Sequence, residues 1–453
     1  MLNCPAKSKS LYMLVALVFL IVLTSSVAAL SLALFLMQLP LAVITVWLLS
    51  KKDHRSAKLY LVIFLTSMLF VFLVYEANIS RYGSPYYIVG SDDLNFENEG
   101  RMIADSGMYN PSEIVESGII GRLHNAPFFS LFISVLMRLS EVFDGYSTFL
   151  PRIANVYFLL WVCMILEYLL RRYANFTDYK VYVTIALFAL TPNIQYINSH
   201  VFRDTLNLLQ IFATIALFDK VVDRNRSTKK LVYLGVLGLL LYMTYYTRKP
   251  SLLFSVVICI LILFSKMRIN KKYVLLLAVP ILMFIGLLSA ADINYYVDTY
   301  TRYVLSIAGD GLSRHVFLQP SLPFGIILRA FYALISPFPD FFSLFGEPDR
   351  FLYDLVIFLI YIGVVVQIIG IPFILKKALR MDWLSIAFLV WFLAVIATTF
   401  TFRHVILYYP FLVAVGVDGF LTSRKETRAY ALLASSLAGC SLSIMYLALK
   451  HLF

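Results

Sequence analysis

Residues 11–50 run for forty positions without one charged side chain. At 1.5 Å of rise per residue a single helix of that length would reach about 60 Å, twice the roughly 30 Å hydrocarbon core of a bilayer. The run therefore reads as a tight helical hairpin that turns near Ala29 to Ser31. Further apolar runs recur at about residues 59–77, 148–170, 181–198, 205–222, 231–246, 251–264, 273–290, 351–375, 383–400, 405–421 and 429–449. With the hairpin they predict about 13 spans at roughly 20 residues each. Composition agrees: 61% of the 453 residues are hydrophobic and 14% charged, against about 45–50% and 25% in soluble domains. A cytosolic enzyme is excluded, and the expected fold is an all-α polytopic membrane protein.

A net charge of +12 would suggest nucleic acid in a soluble chain, but here its distribution points to orientation, and no nucleic-acid partner is expected. Cytoplasmic loops carry the excess of Lys and Arg. The N-terminal tail and the segments 51–58, 171–180, 220–230, 266–272, 376–380 and 424–428 hold 24 of the 38 basic residues, and all seven fall on one side of the alternating spans. The opposite side holds most of the 26 acidic residues. This places the N-terminus inside and the acidic loops outside. A cleaved signal peptide is the rival for the first thirty residues, because Lys7 and Lys9 precede the apolar run and Ser26-Val27-Ala28 resembles a cleavage site; the later topology is the same either way. The four cysteines show no metal-ligand or disulfide spacing. With no repeat or low-complexity linker in view, a single membrane-embedded domain over residues 1–453 is the simplest reading.

Two outer segments, at about 78–147 and 291–350, are too long for simple turns. The first carries seven acids against three bases over residues 78–125. Residues 127–142 are apolar but short and contain Arg138, so they read as a helix lying in the interface or re-entering it. Residues 324–345, broken by Pro337 and Pro339, read the same way. Asp92 and Asp93 follow a Gly-Ser turn and open a helical stretch. Capping of free backbone N–H groups is the plain account of an Asp there.

The same stretch resembles the first outer loop of GT-C glycosyltransferases, membrane enzymes that use polyprenyl-phosphate sugars. The likeness is to the branch of protein O-mannosyltransferases and bacterial aminoarabinose transferases. Asp92-Asp93, Phe96, Gly100, Arg101, Ser106-Gly107 and Tyr109 fall on that branch's pattern without a gap, with Asp93 in place of its usual Glu. Asn125-Ala126-Pro127-Phe128-Phe129 resembles its Lys-Pro-Pro-aromatic step, with Asn125 where the Lys is expected. Arg152, Arg203-Asp204, Thr247-Arg248-Lys249-Pro250 and Arg403-His404 before Pro410 resemble its later steps. The likeness covers residues 92–264 well and the remainder loosely.

The resemblance implies an inverting sugar transferase acting on the outer face of a bacterial inner membrane. Its donor is a polyprenyl-phosphate-linked sugar, and its acceptor a lipid-linked glycan, a lipid or a protein. Such a transfer needs a base at the acceptor hydroxyl and cations at the departing phosphate. Asp92 is the expected base, with Asp93 as its orienter or substitute, and Asp204 is a second carboxylate for sugar or acceptor. Capping of the following helix is an equal account of Asp204. Arg203, Arg248, Lys249 and Arg403 are the phosphate candidates, since a guanidinium is a multi-donor fork that stays charged. Against this, Lys and Arg at helix ends also snorkel to lipid headgroups. Arg302, Arg314 and His315 are further acceptor or pyrophosphate candidates, and His124 and His200 possible helpers. The implied branch works without metal or cofactor, so neither is expected. A repeat-unit polymerase of O-antigen or capsule shares the same lipid substrate and outer arginines. A flippase or transporter would instead place ionisable groups near the midplane, whereas those of this chain gather on one face.

Overall fold

The computed structural model describes residues 5–87, 92–120, 126–223, 229–266, 316, 325–398 and 402–452. Among them there are helices and no strand, as suits a chain that cannot leave backbone N–H and C=O groups unpaired in hydrocarbon. Eight described helices are long and apolar enough to cross a membrane. The chain is a polytopic membrane protein.

The uncharged first run divides into α1 (Pro5–Ala28) and α2 (Leu32–Leu49). Leu30 takes a φ of +49° in the turn between them, and the Ser31 hydroxyl caps α2 by accepting the Leu34 N–H at 3.1 Å. Asp144 completes the cap from more than a hundred residues away, accepting the N–H groups of Leu32 and Ala33 at 2.5 and 2.7 Å. A carboxylate is favoured at a helix N-terminus, and these backbone donors hold the Asp144 carboxyl below its usual range. Next, α3 (His54–Tyr82) begins where the Asp53 side chain accepts from Arg55 and Ser56 and ends at Gly83, whose φ of +66° suits glycine.

Three shorter helices follow: α4 (Asp92–Ser106), α5 (Pro111–Ser117) and α6 (Pro127–Glu141). Along α6 the buried side chains Phe129, Ser130, Ile133, Ser134 and Met137 recur at helical spacing and face α4. Contact is close because Gly100 has no side chain: a Cβ there would lie 2.7 Å from Ile133 Cγ2. Arg138 locks the pair by donating to the carbonyls of Ile103 and Ala104 near the end of α4.

Beyond them lie α7 (Phe149–Tyr173), α8 (Asp178–Ala189), α9 (Pro192–Asn198), α10 (Asp204–Val222), α11 (Lys230–Thr247) and α12 (Lys249–Lys266). The apolar run at 181–198 is thus two helices rather than one, broken just before Pro192, which cannot donate to a preceding turn. The last described helices are α13 (Gly325–Ile335), α14 (Phe351–Ala378), α15 (Trp383–Thr398), α16 (Val405–Leu421) and α17 (Lys425–Leu452). The eight of spanning length and apolarity are α2, α3, α7, α10, α11, α14, α16 and α17; α12, α13, α15 and the second half of α1 are apolar but shorter. The expected span at 273–290 lies outside the described residues.

The chain forms two compact units. The first comprises Met1–Tyr168, Ile185–Leu252 and Phe345–Ile357, and the second Leu169–Thr184, Leu253–Leu344 and Phe358–Phe453. In the first, one end is marked by Lys52 and Tyr60, whose Nζ and hydroxyl each donate to Glu167 at 2.6 Å, and by Tyr168 donating to Asp219. The basic segment 51–58 and the described start of the segment 220–230, at Lys220, therefore adjoin the same end. The opposite end carries the α1–α2 turn with Asp144 and the starts of α7 and α10. In the second unit Lys180 and Lys377 meet at Asp418, at 2.7 and 2.5 Å, which brings the basic segments 171–180 and 376–380 to one end. Trp391 stacks on Phe254 at 4.1 Å between ring centres. Gly419 lets α16 approach α14, since a Cβ there would stand 2.2 Å from the Phe373 carbonyl oxygen.

Candidate functional site

Within the first unit, the starts of α4, α7 and α10 and the end of α11 bring together a set of charged groups, far from the Lys52–Glu167 end. The packing of α4 on α6 fixes the first turn of α4, and helical periodicity then sets which side chains share a face. Asp93, Glu97 and Gly100 lie on one side, and Asp92, Phe96, Glu99 and Ile103 follow at spacings of three and four.

Asp93 is fully buried. Its carboxylate accepts the N–H groups of Tyr87 at 2.8 Å and Leu94 at 3.1 Å, and Nδ1 of His200 stands 3.6 Å from Oδ2. Part of the capping account of this residue therefore applies: it holds backbone donors on either side of the helix start. One turn on, Glu97 accepts three hydroxyls, from Tyr86 at 2.6 Å, Tyr146 at 2.9 Å and Thr148 at 2.6 Å. Burial first, and the Glu97 charge second, push both tyrosine hydroxyls well above their ordinary pKa.

Arg152, in the first turn of α7, is the buried cation that interacts with both Asp93 and Glu97. It donates to the carbonyls of Pro85 at 2.6 Å and Ser199 at 2.9 Å. Asn155, a turn later, donates to the carbonyls of His200 and Phe202 at 3.1 and 3.2 Å. These two side chains of α7 thereby staple the strands of chain that enter α4 and α10. His200 is enclosed by aromatic rings: Tyr196 at 4.7 Å, Phe202 at 5.0 Å and Tyr87 at 5.4 Å between centres. Burial holds its imidazole below the ordinary pKa, opposed in part by Asp93.

The second group of charges lies where α4 meets α10 and α11. Asp92 is half-buried and interacts with Glu99, which in turn interacts with Arg203. Glu99 accepts the Ser130 hydroxyl at 2.6 Å, and burial raises its carboxyl above the ordinary range, offset in part by Ser130 and Arg203. Arg203 lies 5.9 Å over the Phe96 ring and donates to the Thr247 carbonyl at 3.4 Å. The next residue in each partner pairs too: Arg248 Nη1 is 3.3 Å from Oδ1 of Asp204, a carboxylate almost fully buried in the first turn of α10. Arg248 is the extended residue between α11 and α12, and Lys249 places its ammonium 5.4 Å over the Tyr245 ring.

Six of the seven expected site residues, Asp92, Asp93, Arg203, Asp204, Arg248 and Lys249, thus occupy the same end of the first unit. Arg403 belongs to the second unit, in the short turn Phe402–His404 before α16. His124, Arg302, Arg314 and His315 lie outside the described residues. Sequence reasoning missed Glu97 and Glu99 as members of the cluster. The signal was present in their spacing of four from Asp93 and seven from Asp92, which puts each on the face of an aspartate already singled out.

Chemically the two aspartates differ. Asp93 is sealed and saturated with donors, while Asp92 is the more exposed carboxylate, flanked at one remove by the Arg203 guanidinium. A proton acceptor beside multi-donor cations suits transfer from an anionic leaving group. Among the described residues no three His, Cys, Asp or Glu side chains converge as a metal site needs. Comparison with models of known families, with curated proteins and with solved structures finds no match.

Proposed function

We propose that the protein is an inverting glycosyltransferase of GT-C type with about 13 spans, moving a sugar from a polyprenyl-phosphate donor to a cell-envelope acceptor at the outer face of a bacterial inner membrane. The observation that supports this reading is the gathering of Asp92, Arg203, Asp204 and Arg248 at one end of the first unit, the end away from its basic loops. In the proposed step Asp92 takes the acceptor hydroxyl proton as that oxygen bonds to the anomeric carbon. The bond from that carbon to the phosphate oxygen breaks, and polyprenyl phosphate leaves with the electron pair. Arg203 and Arg248, with Lys249 as a further candidate, hold the phosphoryl oxygens as their charge grows. Phosphate is already a good leaving group, so no general acid is required. Asp93, sealed by Tyr87 and His200, acts as a positioning residue for the turn that carries Asp92.

The test is transfer of radiolabelled sugar from a polyprenyl-phosphate donor by purified protein. Asp92→Asn is expected to fold and insert as wild type and to lose at least about a hundredfold in rate, the scale of general-base catalysis. Transfer at the wild-type rate by that variant would overturn the assignment of the base.

A further inference from the structure

The spanning helix α10 carries a polar stripe that the proposed reaction does not use. Asn207, Gln210 and Thr214 are 0, 2 and 2% exposed, and at 3.6 residues per turn they fall within an arc of about 60°. Around them the helix is apolar, with Leu208, Ile211, Phe212 and Ile215 all buried. Asn207 donates to the Ser251 hydroxyl at 2.9 Å. Its Oδ1, both amide atoms of Gln210 and the Thr214 hydroxyl have no hydrogen-bond partner among the described residues.

Thr214 is distinctive because a helical threonine can always return its hydroxyl to the carbonyl one turn back. In this chain Thr184, Thr244, Thr247 and Thr422 do so. Thr214 does not, so its buried hydroxyl is left without that bond. Unsatisfied polar groups are expensive in a dry interior and more so within a bilayer. Neutral polar side chains within a membrane hydrogen-bond across helices, and ionisable ones face the bundle interior or a water-filled cavity; the unpaired atoms of this stripe have no such cross-helix partner among the described residues.

We infer that Asn207, Gln210 and Thr214 line a water-accessible crevice that opens at the Asp204 end of α10 and reaches the middle of that span. Thr214 is ten residues beyond Asp204, a depth of about 15 Å, half the hydrocarbon core. The ligand is water: each group on the stripe is uncharged, and the amides and hydroxyl can both donate and accept, as water itself does. Asp204 and Arg248 supply a charged mouth. Because the three side chains are closed over, the crevice opens by side-chain movement and is not a standing pore. This inference is independent of sugar transfer.

The experiment is accessibility to a membrane-impermeant cationic methanethiosulfonate reagent, applied to full-length protein in proteoliposomes with its native cysteines replaced. Gln210→Cys and Thr214→Cys are expected to label to completion, and Leu239→Cys, on the exposed apolar face of α11, to stay unlabelled. Silence at both crevice positions, or equal labelling at position 239, would overturn the proposal. If the cysteine variants do not fold, the melting temperature of Thr214→Val decides. A hydrated hydroxyl predicts a value at or below wild type, whereas a higher one would show that the hydroxyl is a dry, unsatisfied burden and overturn the crevice.

Discussion

His200 and Asp93 show how a charged residue's meaning depends on what surrounds it. Both are buried, 3.6 Å apart, and Arg152 lies close enough to oppose protonation of the imidazole. The other groups facing His200 are the rings of Tyr87, Tyr196 and Phe202. With its pKa depressed by burial, native His200 stays neutral where the unfolded chain takes up a proton, below about pH 6.5. The unfolded state then binds more protons than the native state, so stability falls as pH falls through that window. Melting in detergent should therefore shift downward between about pH 7 and 5, and His200→Phe, which keeps an aromatic ring in the cage, should flatten that slope. An unchanged slope would show that another group carries the acid sensitivity. The sequence alone names Asp92 as the base and Asp93 as its orienter, but it does not show how differently the two are surrounded. What separates them is contact with Tyr87, Arg152 and His200, and no local pattern encodes contacts made from three segments of chain.

The pairing of α4 with α6 is what gives the first turn of α4 a fixed place. Gly100 reads in the sequence as a small residue in a motif. The structure gives the physical requirement, a methyl group having no room beside Ile133 and the Ser130 carbonyl. Gly100→Val should cost about 2 kcal/mol through overpacking and lower transfer by tilting Asp92 away from Arg203. Combining Gly100→Val with Ile133→Ala should recover much of the loss, measured by thermal unfolding and by transfer rate. A double variant no better than the worse single one would show that the pair is not coupled. The short amphipathic form of α6 was readable from the length of its apolar run and from Arg138. The break of the 181–198 run was also signalled by Pro192, but its length and apolarity outweighed a single proline.

At the scale of the molecule, length limits carried the helical membrane class and the opening hairpin. Forty uncharged residues must fold back, and they do so at Ala29 and Leu30. Basic segments must share a side, and in each unit the ion pairs and hydrogen bonds of Glu167, Asp219 and Asp418 bring two such segments to one end. The division into two compact units was not visible, because most of its boundaries fall inside helices, as at Tyr168 in α7 and Leu252 in α12, where composition does not change. The account as a whole rests on one end of the first unit recognising a lipid-linked phosphate. Native mass spectrometry of the purified protein with a polyprenyl-phosphate sugar measures that directly. Arg203→Ala and Arg248→Ala should each weaken binding about tenfold or more, as expected for loss of a charged hydrogen bond, while Asp92→Asn should bind as wild type. Equal binding by all four proteins would contradict the account.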